Sequence, residues 1–140
     1  MKVYIAGTLS SKKDREFLEE IDRICKKYKL KTFLPHRDVG LWEDVGNVKL
    51  VAKKDIDAFK DCKLLIASLN GFYPGAGTAF EIGYAFSKKI PIICIKTDRK
   101  VKDSIEEISA IIVGSVKIVS SLKELEREIK KVIKNIKLFL

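Results

Sequence analysis

The chain has 140 residues, 46% of them hydrophobic, which fits one compact domain (1–140) built around a single buried core. Its longest apolar stretches, such as Lys63 to Leu69 and Ile90 to Ile95, fall far short of the roughly 20 residues that span a bilayer, and Met1 to Ala6 reads as a strand followed by Lys12, Lys13 and Asp14 rather than as a signal peptide, so a cytoplasmic protein with no membrane contact is expected. The formal charge of +9 is carried by lysines interleaved with Glu and Asp along the chain, without an aromatic-studded basic strip, which argues for a solvated surface and against a nucleic-acid partner.

Lys2 to Ala6 is a short apolar run ending at Gly7, after which Ser10 and Ser11 cap a helix carrying Phe17, Leu18, Ile21 and Ile24 at helical spacing. Lys31 to Leu34 is a second brief strand. Pro35 opens a long stretch read as an irregular loop to Gly46, holding His36, Arg37, Asp38 and Trp42; loops of this length in compact domains are usually functional. Asn47 caps a helix through Phe59, Leu64 to Ser68 is a buried strand, and Asn70 to Gly77 is a turn-rich loop. A helix from about Thr78 to Ser87 follows, then a strand at Pro91 to Ile95, a helix from Asp103 to about Ile112, a strand at Val116 to Val119 and a closing amphipathic helix, Leu122 to Lys137.

Continuous apolar strands alternating with helices imply a parallel sheet covered on both faces with right-handed crossovers. The expected architecture is an α/β doubly wound domain with five strands in the order 2-1-3-4-5. Its ligand belongs at the carboxyl ends of the strands, where Gly7 to Ser11, the Pro35 loop and the Asn70 to Gly77 loop converge. The three cysteines, Cys25, Cys62 and Cys94, are widely spaced in apolar context and read as reduced core residues. His36 is the only histidine and there is no C-x-x-C, so no metal is expected. Glutamine is absent while Lys, Glu and Ile abound, a composition similar to that of proteins from hot environments.

The most informative stretch runs from Gly75 to Phe86. It is apolar on almost every side of Glu81, so the carboxylate is expected to be packed in, where its charge must be compensated or used. Gly83, costing about 1 kcal/mol inside a helix, points to close approach by another element or a ligand. With the helix starting near Thr78, Glu81 falls in the first turn, where the dipole keeps it ionised; it is then either a nucleophile or a terminal glutamate satisfying its own amides. A second carboxylate tips the balance. Asp55, on the helix before the third strand, can be brought beside Glu81 by the βαβ path, and paired carboxylates are what glycosidic cleavage requires. Asp57 and Asp61 are expected to face solvent. The first loop, Gly7, Thr8, Leu9, Ser10 and Ser11, offers hydroxyls and amides at a helix N-terminus, suited to a phosphate or to ordinary capping. His36, Arg37 and Trp42 are binding candidates, although Trp42 could instead pack the loop down and Arg37 could be a surface charge.

The segments Lys2-Val3-Tyr4-Ile5-Ala6-Gly7, Lys54-Asp55-Ile56-Asp57 and Gly77-Thr78-Ala79-Phe80-Glu81-Ile82-Gly83-Tyr84-Ala85 resemble the nucleoside 2-deoxyribosyltransferase superfamily over residues 2 to about 125. The resemblance implies that Glu81 forms a 2-deoxyribosyl-enzyme, that Tyr4 hydrogen-bonds and orients it, and that Asp55 assists at the departing base. Transferases of this group typically place Asn in an Asn-x-Met-like segment after the fourth strand. Here Ser109-Ala110-Ile111-Ile112-Val113-Gly114 resembles the segment of the deoxynucleoside 5'-monophosphate hydrolases, whose serine reaches a phosphate in the neighbouring subunit. That implies a homodimer, with Ser109 completing the partner's site and the helix of Tyr84 and Phe86 at the interface. The hydrolases often carry an arginine where this chain has Ser10 and a phosphate-binding serine where it has Gly75, so phosphate affinity is expected either to be lower or to be supplied by backbone amides, with Gly75 and Gly77 among the binding residues.

The resulting expectation is an enzyme needing no cofactor. It hydrolyses the N-glycosidic bond of 2'-deoxynucleoside 5'-monophosphates. The alternatives are a deoxyribosyltransferase exchanging bases between deoxynucleosides, and a non-catalytic nucleotide sensor on the same fold.

Overall fold

A computed structural model describes residues 1–139. Five strands, β1 (Lys2–Ala6), β2 (Lys31–Phe33), β3 (Cys62–Ser68), β4 (Ile92–Ile95) and β5 (Lys117–Val119), form one all-parallel sheet in the order β2-β1-β3-β4-β5. The expected topology is therefore observed. Side chains alternate across the sheet. Val3, Ile5, Leu64, Ile66, Ile93 and Ile95 face α1 (Lys12–Lys27) and α7 (Leu122–Leu138), where they bury Leu18, Ile21, Cys25, Leu125 and Ile129. Tyr4, Ala6, Leu65, Ala67 and Cys94 face the opposite way, against Phe59, which ends α4 (Val48–Ala58), and Ile82 and Ala85 of α5 (Ala76–Ser87). All three cysteines are free and buried.

The helix starts follow local chemistry. Ser11 caps α1 through a reciprocal capping box with Asp14, Asn47 accepts from the Leu50 amide at the start of α4, and Ser121 accepts from Glu124 at the start of α7. Gly7 lets α1 approach the sheet, because an added Cβ would lie 2.7 Å from Leu18 Cδ2 and 3.2 Å from Ser68 Cβ.

Three expectations are corrected. The stretch from Pro35 to Gly46 is not irregular; it forms two single-turn helices, α2 (Pro35–Asp38) and α3 (Trp42–Val45). Pro35 occupies the first turn of α2, where its missing N–H costs nothing, Asp38 accepts from the Leu34 amide, and Gly46 ends α3 at φ 68°. Such short turns leave no periodicity to read. The helix expected from Asp103 to Ile112 is broken into a 3₁₀ turn, Val101–Asp103, and α6 (Ala110–Ser115), because buried Ser104 turns its hydroxyl back onto the Lys100 carbonyl and Ser109 restarts the helix. Finally, α5 begins at Ala76, two residues earlier than expected, which moves Glu81 into the second turn.

Several lysines meet carboxylates, as in Lys2–Asp61, Lys26–Asp22 and the Lys53 and Lys60 pairs with Asp57, whereas Lys63, Lys88 and Lys89 gather at the amino ends of β3 and β4. Among the described residues no helix is long and apolar enough to cross a membrane.

Candidate active site

The face of the sheet covered by α4 and α5 brings Tyr4, Asp55 and Glu81 together. Tyr4 is fully buried, its ring held between Phe59 (centroids 4.2 Å apart, planes 11° apart) and Phe33 (5.0 Å). Asp55 lies in the last turn of α4, one helical turn before Phe59, so the same face of α4 supplies the carboxylate and the ring that fixes Tyr4. Glu81 comes from α5 opposite.

The electrostatics reverse one expectation. Glu81 lies beyond the first turn of α5 and receives no support from free amides; burial pushes its carboxyl up to about 7, with the Asp55 charge adding to the rise and the nearby Tyr4 hydroxyl opposing it. Burial likewise pushes Asp55 up to about 6. The Tyr4 phenol is raised by burial and then by Glu81 and Asp55, and stays protonated. Glu81 is near enough to feel the Tyr4 hydroxyl, but the pair stops short of a well-aligned hydrogen bond: Tyr4 Oη and Asp55 Oδ1 are both buried without a partner. Unsatisfied buried polar atoms are costly. Here they converge on a carboxylate held close to its neutral form.

The loops above this centre only partly match the expected binding set. Gly75 stands where an added Cβ would lie 3.7 Å from Thr8 Oγ1 and 3.9 Å from Thr78 Oγ1, so the first loop and the start of α5 meet there. An added Cβ on Gly77 would meet nothing within 4 Å, which leaves its backbone approachable. Ser10 and Ser11 are engaged with Asp14, and Leu9 packs toward the α1 face while its carbonyl accepts from Arg15, so the capping interpretation holds for the serines. His36 is directed to Glu19 of α1 (3.0 Å), on the other side of the sheet from Glu81, with Nδ1 buried and unpartnered. Arg37 is committed to Asp22, Asp38 and the Thr32 carbonyl, and so locks α2 onto α1. Trp42 is 64% exposed on α3 rather than packed down. Ser109 is exposed at the start of α6 and makes no capping bond; it borders an apolar depression with Ile82, Gly83, Phe86 and Ile111. Gly83 has no neighbour within 4 Å of an added Cβ, so no element among the described residues explains it. Asp57 and Asp61 pair with lysines at the surface, as expected.

Sequence reasoning missed Phe59 and Phe33 as parts of the site. The spacing from Asp55 to Phe59 could have identified the first; nothing local marks the second.

Residues 3–128 match the sequence profile of the nucleoside 2-deoxyribosyltransferase family. The chain belongs to that family. The nucleoside 2-deoxyribosyltransferase fold is also found in solved structures similar to this one. A conserved protein from Enterococcus faecalis V583 shares 26% identity over 94% of this chain and 98% of its own, with a TM-score of 0.77. A 2-deoxyribosyltransferase from Bacillus psychrosaccharolyticus shares 16% identity over 90% of each chain (TM-score 0.74), and a CMP N-glycosidase from Clostridium botulinum shares 20% identity over 93% of this chain and 99% of its own (TM-score 0.61). No curated protein sequence matches the chain. As a nucleoside 2-deoxyribosyltransferase family member it is an enzyme of glycosyl transfer.

Proposed function

We propose that the protein hydrolyses the N-glycosidic bond of 2'-deoxynucleoside 5'-monophosphates, releasing free base and 2-deoxyribose 5-phosphate. The observation that carries this reading is the convergence of Tyr4, Asp55 and Glu81 in one buried cluster, with both carboxyl groups titrating near neutrality.

In the first step a Glu81 carboxylate oxygen bonds to C1' as the C1'–N bond breaks, through an oxocarbenium-like transition state, and the base departs with a proton delivered from the Asp55 side. The buried Tyr4 hydroxyl orients Glu81 and stabilises its charge as substrate closes over it. Water then attacks C1', Glu81 leaves as carboxylate, and the proton lost by water returns to the Asp55 side. No cofactor is required for these steps.

The 5'-phosphate is held by backbone amides of Gly75 and Gly77 with the unengaged Thr8 hydroxyl, and by Ser109 of a second copy. The apolar depression beside Ser109 and the exposed Phe80, Phe86 and Ile111 support a homodimer formed through α5 and α6. Gly83 then serves close approach of the partner.

The test is incubation with each deoxynucleoside 5'-monophosphate and each deoxynucleoside, with and without a second free base, following base release by chromatography. Release from monophosphates without an acceptor, lost in Glu81→Ala, is the expected result. Exchange only between deoxynucleosides and added base would make it a transferase. Nucleotide-induced stabilisation without turnover would make it a sensor.

A further inference from the structure

Lys96 follows β4 at the carboxyl edge of the sheet, and its side chain is completely buried. All three ammonium protons have acceptors within reach: Asp98 Oδ1 at 2.9 Å, the Leu69 carbonyl at 3.2 Å and the Gly71 carbonyl at 3.3 Å. Asp98 in turn accepts from the Gly71 amide at 2.8 Å. Beside this ring, Asn70 and Thr97 are joined twice, Asn70 Nδ2 donating to Thr97 Oγ1 (2.9 Å) and the Thr97 amide donating to Asn70 Oδ1 (2.8 Å). Leu69, Asn70 and Gly71 are thus tied to the exit of β4, and the tied segment runs directly into Gly75 and the first turn of α5, where Thr8 approaches.

Burying the Lys96 ammonium is a poor way to stabilise a fold, because its desolvation offsets most of the attraction to the half-exposed Asp98 and a hydrophobic side chain of similar volume avoids that cost. What lysine supplies and methionine would not is a fixed location for two inward-facing carbonyls at a turn where Gly71 adopts φ +104°. We infer that Lys96 is a positioning residue for the active site: it fixes the Asn70–Gly75 turn so that the amides at the start of α5 are set opposite Thr8, ready for the substrate's anionic end. The identity of that anionic end rests on the function proposed above; the fixing of the turn does not.

Two measurements on Lys96→Met separate these. Amide hydrogen exchange should accelerate by about tenfold or more across residues 70–78 while other segments and the Tm change little. Steady-state base release from deoxynucleoside monophosphates should show KM raised by about tenfold with kcat and its pH limbs unchanged, the signature of lost binding rather than lost chemistry. Unchanged exchange in 70–78, or exchange accelerated throughout with a matching fall in Tm, overturns the inference, as does a loss confined to kcat. If the wild-type protein releases no base from any nucleotide, the proposed function fails and the exchange result alone decides the role of Lys96. Should Lys96→Met not fold, Asp98→Asn carries the same exchange measurement, with local loosening supporting the inference and an unaltered turn refuting it.

Discussion

The ring of Phe59 stacks on that of Tyr4, with centroids 4.2 Å apart and planes 11° apart. Tyr4 has no hydrogen bond to fix its hydroxyl, so its aim at Glu81 depends on this stacking and on Phe33. Phe59→Leu should cost about 1–2 kcal/mol of stability and lower kcat more than it raises KM, because the ring that sets Tyr4 is lost while the carboxylates stay. Thermal unfolding together with steady-state kinetics checks this; a variant with reduced Tm but full kcat would show that Tyr4 is fixed by other means.

Glu81 makes stability depend on pH in a direction opposite to most carboxylates. Its folded pKa is raised from 4.5 to about 7, so between those values the folded chain holds a proton that the unfolded chain has lost, and stability falls as pH rises through this window. Asp55 adds the same sign between 3.8 and about 6. Glu81→Gln should therefore gain up to about 3 kcal/mol over wild type at pH 8, from the size of the shift, and nothing below pH 4.5. Denaturant titrations at the two pH values measure the difference; an equal gain at both would mean that the glutamate is not held near neutrality.

The rate should be bell-shaped in pH. Attack needs an ionised Glu81 and departure of the base needs a proton near Asp55, and the two ionisations, at about 6 and about 7, belong to the pair rather than to either residue. We expect kcat/KM to peak between those values. Asp55→Asn should lower activity, remove the basic limb and leave a single acid limb, that of Glu81 alone, lying below about 7 because the charge that helps raise Glu81 is gone. Retention of both limbs in Asp55→Asn would assign the proton donor elsewhere.

Ile111 and Phe86 are 75% and 56% exposed beside Ser109. Ile111→Glu should leave the fold intact, abolish association at twice the 15.9 kDa chain mass in sedimentation, and suppress monophosphate turnover. Ser109→Ala should leave association intact, raise KM for monophosphates about tenfold, as expected for one lost charged hydrogen bond, and spare deoxynucleosides. A fully active monomer would refute the shared site.

The sheet order and the helices were legible because strand runs of apolar residues and helical spacing are dictated by burial, and because Ser11, Asn47 and Ser121 announce their helices by capping chemistry. Glu81 was legible as a carboxylate in apolar surroundings, and Asp55 as a second carboxylate that the βαβ path could bring beside it. Their ionisation was not: a two-residue error in the start of α5 turned an expected dipole-stabilised anion into a group held up by burial. Arg37 could not be assigned from sequence, since its partner Asp22 lies on α1 and only the packing of α2 brings them within 3.2 Å. Lys96 escaped notice because a lysine at a strand end reads as solvated, and only the turn folded over it removes the water.

The ladder between β1 and β3 contains one irregularity: Lys2 is opposite Cys62 and Val3 is opposite Leu64, which leaves Lys63 as an unpaired extra residue. Every pair above it, from Val3 to Ala6, is regular, and Tyr4 is placed by that upper part alone. The bulge thus confines the irregularity to the entry of the ladder, and because side chains alternate along a strand, the unbroken pairing above it is what keeps Tyr4 on the α4 and α5 side of the sheet.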